Sequence, residues 1–130
     1  MDVVKKMVIY TVSKLGEVDV KRLTYIMYLV DRELYYLCGF TLFEWRLSLS
    51  GLRSFDIYNT VDELEAAGYL EREVRDDAIV YRARRSVEPP KQIRDVVYKV
   101  VEKVKGVDYV FNYILKFIDP NVVEIAGLKT

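Results

Sequence analysis

The sequence predicts a mainly helical α+β domain, with a small antiparallel sheet (a hairpin plus a third strand) and two C-terminal helices. Three observations carry that prediction. Apolar residues recur at helical spacing over 3–15, 20–38 and 91–105. Residues 51–85 read as a short amphipathic helix, a glycine stop and two strand-forming runs around Asp76-Asp77. Residues 44–50, EWRLSLS, alternate like a half-buried strand. A chain of 130 residues, 52% of them apolar, is long enough to bury one core. Glu88-Pro89-Pro90 divides it into a domain over 1–88 and a helical extension over 89–130, packed on the same domain.

Asp2 is placed to cap a first helix that runs to about Leu15, with Gly16 just past its end. Val4, Met7, Val8, Thr11 and Leu15 form its inner stripe, while Lys5, Lys6 and Lys14 face water. Asp19 then caps a longer helix from Val20 to about Cys38. Its core stripe is Leu23, Met27, Val30, Leu34 and Leu37, widened by Ile26 and Leu29. Another face carries Tyr28, Asp31, Arg32 and Tyr35, beside Tyr25 and Tyr36. With 11 tyrosines in the chain, that face reads as an amphipathic boundary rather than a ligand site. Cys38 falls in the apolar pattern and is expected to be a buried, inert thiol.

Gly39 stops the second helix. In the strand that follows, Trp45, Leu47 and Leu49 share one side, and it is expected to pair with the hairpin at its edge. The third helix lines up Ile57, Val61 and Leu64, with Ser54 as N-cap, Asp56 at its positive end and Gly68 at its stop. A fourth helix from about Lys91 to Lys105 carries Val96, Val97, Val100, Val101 and Val104 on one side. Asp108 is placed to cap a last helix over 109–118 that is apolar nearly all round. Burying such a helix in a small domain calls for a second copy, so a homodimer is expected. Its interface would be Val97, Val101, Val104, Tyr109, Phe111, Ile114, Leu115 and Phe117.

Composition argues against catalysis. The chain has no histidine and one cysteine, and its six glycines stand singly, so no triad, thiolate cluster or phosphate loop forms. Asp62-Glu63 and Asp76-Asp77 read as solvated surface carboxylates. No enzyme activity, metal or cofactor is expected. Lysine plus arginine equals aspartate plus glutamate, 20 against 20, and residues 51–88 are the most acidic stretch, with 6 basic and 9 acidic groups. That balance removes the usual overall signature of nucleic-acid binding and leaves only a local basic patch. Lys5 and Lys6 break the first apolar run, and no run approaches the ~20 residues of a membrane span, so a cytoplasmic protein is expected. Scarce asparagine and glutamine, with abundant charge, suit a thermophilic source.

The helix through VDELEAAGYLER, running into a hairpin that ends YRAR, resembles the recognition helix and wing of winged helix-turn-helix proteins. A second resemblance covers roughly residues 20–85. Leu23, Tyr25, Tyr28, Leu29, Asp31, Arg32 and Glu33, then Gly39, then Gly51 and Ser54, then Leu64, Glu65 and Gly68 are similar in order and spacing to the Panacea family of antitoxin domains. Leu52 stands where that family has proline, and Phe40 where it has arginine.

Two functions are expected from these features. The first is a dimeric winged-helix transcriptional regulator binding duplex DNA. Arg53, Ser54, Tyr58, Asn59 and Thr60 would enter the groove, and Arg72, Arg75, Arg82, Arg84 and Arg85 would hold phosphates from the hairpin. The arginines have a second reading, as partners of Glu71, Glu73 and Asp77 across the hairpin. The alternative function, implied by the Panacea resemblance, is an antitoxin or interaction module that neutralises a partner protein. A small-molecule sensor is a third reading, for which the sequence carries no specific pocket signature.

Overall fold

The computed structural model describes residues 1–39, 41–48, 51–107 and 110. Its elements run α1 (Val3–Leu15), β1 (Val18–Asp19), α2 (Val20–Cys38), β2 (Arg46–Ser48), β3 (Gly51–Arg53), α3 (Phe55–Ala66), β4 (Leu70–Arg75), β5 (Ala78–Ala83) and α4 (Lys91–Val104). The mainly helical α+β class expected from the sequence is the one observed.

Local chemistry sets the helix boundaries. Asp2 and Asp19 each accept a backbone N–H bond of 2.8 Å, from Lys5 and Arg22, and so cap α1 and α2. Gly39 closes α2 in the left-handed conformation, its N–H reaching Tyr35 O at 2.8 Å. α1 buries Met7, Val8, Ile9 and Val12, and α2 buries Leu23, Ile26, Met27, Val30 and Leu34. The five valines 96, 97, 100, 101 and 104 of α4 close the same core against α1 and α2. Arg22 fixes the end of α4 by donating to the carbonyls of Val107 and Val104, at 2.8 and 3.3 Å.

The main sheet has the order β1-β5-β4, all antiparallel. Its third strand is therefore the two-residue β1, Val18 facing Tyr81 and Asp19 facing Val80. The expected third strand over 44–50 lies elsewhere. Residues 46–48 pair with 51–53 in a separate small hairpin, Arg46 opposite Arg53 and Leu47 opposite Leu52. Two residues are too few to show alternation, whereas EWRLSLS shows it clearly, so pattern alone favoured the wrong partner. At the tip of the main hairpin Asp76 and Asp77 both adopt positive φ, 46° and 69°, which gives the tight two-residue turn. Gly51 has φ 113°, and a Cβ there would stand 3.0 Å from Tyr25 Oη, so β3 crosses α2 closely only because the residue is glycine.

Two expectations at the end of α2 are corrected. Leu37 is 59% exposed rather than part of the core stripe, and Cys38 is exposed rather than buried. The heptad-like spacing continues there, but α2 has by then run past its packing partners. Of the expected dimer residues, Val97, Val101 and Val104 are buried within their own chain, so their burial requires no second copy. Tyr109, Phe111, Ile114, Leu115 and Phe117 lie outside the described residues, as do Phe40 and Leu49. Among the described residues no helix is long and apolar enough to cross a membrane.

Candidate functional site

Most of the expected wing arginines are already paired. Arg75 and Arg82 both bind Glu17 and Glu73, with Arg82 at 2.7 Å from each carboxylate. Those guanidinium hydrogen bonds hold the Glu73 carboxyl down to about 2 and lower that of Glu17. Arg72 binds Glu65 on α3 at 3.1 Å, and the Arg85 guanidinium lies over the Tyr69 ring, 5.4 Å from its centre. Of the five, Arg84 alone is exposed with no side-chain partner among the described residues. The second reading of the hairpin arginines is thus partly realised, with Glu17 joining Glu73 in place of Glu71 and Asp77.

Three of the four acids of α3 are likewise engaged. Glu63 binds Lys5 of α1 at 3.0 Å, Glu65 binds Arg72, and Asp56 Oδ2 accepts the Glu44 N–H at 2.8 Å. Of the residues expected in the groove, Asn59 is exposed and Tyr58 half-buried. Thr60 turns inward, its hydroxyl donating to Asp56 O at 2.7 Å. Ser54 is 1% exposed, and its Oγ makes no cap bond and no other hydrogen bond. The expected N-cap position is correct; the expected cap bond is absent.

Unpaired positive charge collects in front of α3 instead. A cleft of about 110 Å³ is lined by Lys21, Thr24 and Tyr25 of α2, Leu52 and Arg53 of β3, and Tyr58 of α3. Lys21 and Arg53 are both exposed and have no ion-pair partner among the described residues. Arg46 stands directly opposite Arg53 across β2 and β3, and it too has no carboxylate partner among the described residues, resting over the Phe55 ring at 5.4 Å. Like charges directly opposite on a strand pair repel. Lys21 and Arg46 were not legible as site residues, because each is linked to Arg53 only by the fold, Lys21 across the cleft and Arg46 across the β2–β3 hairpin.

A second concavity, of about 320 Å³, opens on the far half of α2. Tyr28, Asp31, Arg32, Tyr35 and Tyr36 share one helix face there, and Thr41 and Trp45 close over them from the following segment. Asp31 is 1% exposed; its Oδ1 accepts Leu42 N–H at 2.7 Å and its Oδ2 accepts Trp45 Nε1–H at 2.8 Å. The Tyr28 and Trp45 rings meet edge-on at 5.2 Å, and burial pushes the Tyr28 phenol up. The tyrosine face read from the sequence as a boundary lines an open concavity, with Tyr35 and Tyr36 exposed and Tyr28 half-buried. Among the described residues no group of acids and cysteine could hold a metal ion. Comparison of the chain with family models, with characterised proteins and with solved structures finds no match.

Proposed function

We propose that the protein binds the phosphate backbone of duplex DNA as a non-catalytic, winged-helix-like regulator. The observation that carries this reading is the cluster of Lys21, Arg46 and Arg53, none paired with a carboxylate among the described residues, at the start of α3. Two arginines facing each other across a short hairpin gain most when an anion comes between them. The cleft beside them adds the hydroxyl of Tyr58 to the two cations Lys21 and Arg53. Phosphate contacts of this kind position a protein on the duplex, and Asn59 and Tyr58, on the outward side of α3, are the groups left to read bases. The element order supports the reading: β1 lies between α1 and α2, and α3 leads into the two-stranded hairpin.

The test is fluorescence anisotropy with a random-sequence duplex at several salt concentrations. Affinity should fall steeply with salt, each phosphate contact contributing a log–log slope of about −0.9. Arg46→Ala with Arg53→Ala should flatten the slope by nearly two such contacts, whereas Arg75→Ala with Arg82→Ala should leave it unchanged. Absence of binding at ~50 mM salt rejects the proposal.

A second reading, the antitoxin-like interaction module, is favoured by one observation. Tyr35, Tyr36 and Leu37 end α2 with exposures of 52%, 66% and 59%. Exposed large apolar side chains of this sort suit a protein partner. A chain that ignores DNA while losing a protein partner on Tyr36→Ala with Leu37→Ala would support it.

A further inference from the structure

We propose that the start of α3 binds an unpaired stretch of DNA, with Phe55 as the platform on which a base stacks. The inference rests on the phosphate-binding reading of Lys21, Arg46 and Arg53 and adds the bases to it. Phe55 is the first residue of α3, and its side chain is 62% exposed. Among the described residues it belongs neither to the core nor to the apolar side chains packed against it. The Arg46 guanidinium lies over its ring, 5.4 Å from the centre, which steadies the ring and leaves its remaining surface to solvent. Tyr58 and Asn59, three and four residues on, share that outward side of α3, the first half-buried and the second exposed.

Each ring has a cation beside it. Arg46 covers part of Phe55, while Tyr58 lines the cleft with Lys21 and Arg53. Arg53 neighbours both other cations, Lys21 across the cleft and Arg46 across the β2–β3 hairpin. A guanidinium stacked on a ring keeps its N–H donors in its own plane, so Arg46 can steady Phe55 and bind a phosphate at once. Charge alone is a modest attraction here. Asp56 follows Phe55 and accepts the Glu44 N–H, which brings two carboxylates up to the three cations. On phosphate contacts alone the duplex, with its higher charge density, would bind more tightly than a single strand. A duplex, however, keeps its base faces stacked inside. A single strand offers phosphates to the same cations and a base face to Phe55, and such stacking tolerates any sequence.

The full chain is titrated by fluorescence anisotropy at ~50 mM salt with three probes of equal length. They are a mixed-sequence single strand, the same backbone built of stable abasic residues, and the duplex. The mixed-sequence strand should bind roughly tenfold tighter than the abasic one, a difference that only bases supply. Phe55→Ala and Phe55→Leu should each remove most of that advantage without weakening the abasic strand, and Phe55→Trp should keep it. Far-UV circular dichroism verifies that the variants fold. Equal affinity for the two single strands, or a Phe55→Ala loss as large for the abasic strand, overturns the stacking platform and leaves the phosphate contacts standing. Tighter binding of the duplex than of the mixed-sequence strand does the same. A single strand bound with the duplex ignored keeps the platform and rejects the duplex reading, and no binding of any probe rejects both.

Discussion

Asp31 is buried, and each of its oxygens has a donor. Leu42 N–H and Trp45 Nε1–H fill that role, at 2.7 and 2.8 Å, and the carboxylate in turn pins residues 41–45 against α2. Asp31→Ala leaves two buried donors without acceptors and should lower stability in urea by about 2–3 kcal/mol. Asp31→Asn, which keeps one acceptor, should lose less; equal stability of all three would refute the role. Ser54 is the converse case. A hydroxyl that caps a helix normally contributes ~1 kcal/mol, but Ser54 Oγ is buried with no partner. Ser54→Ala should therefore be within ~0.5 kcal/mol of neutral, or stabilising, and a clear loss in urea unfolding would show a cap bond after all. The positions of both residues were legible in the sequence. Their roles were not, because the partners of Asp31 lie 11 and 14 residues away and the failure of the Ser54 cap depends on its burial.

At the level of elements, the main hairpin is tied to the α1–α2 turn by a four-membered network: Glu17, Glu73, Arg75 and Arg82. Both carboxyls are lowered from their ordinary 4.5, Glu73 to about 2. An acid whose pKa falls on folding stabilises the fold above its unfolded value, and that contribution disappears as pH drops through the folded value. Glu73→Gln should therefore lower the melting temperature near neutral pH and lose most of that effect as the pH falls to about 2. The groups are solvated, so the difference should be small and shrink in ~1 M salt. A Glu73→Gln penalty that persists in full at about pH 2 would contradict this origin. The helices were legible because their stripes run many turns, as in the five valines of α4. β1 was not, since a two-residue strand is specified by what it meets, here Val80 and Tyr81, rather than by its own pattern.

For the whole molecule, net neutrality conceals an uneven distribution. Pairing uses much of the charge on the hairpin and along α3, and leaves Lys21, Arg46, Arg53 and Arg84 without a carboxylate partner among the described residues. The same distinction between inward and outward use applies to α4. Val101 is 7% exposed and faces α1 and α2, so Val101→Ala should cost the single chain about 1–3 kcal/mol without altering its oligomeric mass. Light scattering at micromolar concentration should give twice the 15.3 kDa of one chain, for Val101→Ala as for the parent. A mass of one chain overturns the homodimer, and a dimer lost in Val101→Ala would return α4 to the interface.

The strand order β1-β5-β4 leaves β4 with one open side, its outer amides and carbonyls unmatched by any described strand. Such a margin is a template on which another chain could lay itself and start a fibril. Along β4, Glu71, Arg72, Glu73 and Arg75 place a charge at nearly every step, and only Val74, exposed beside Ile79, breaks the run. An incoming strand would have to bury those charges, the two acids and two arginines alike, against its own side chains. The arginines that suggested a grip on DNA thus put charge along the open margin of the sheet, where it opposes pairing with another strand.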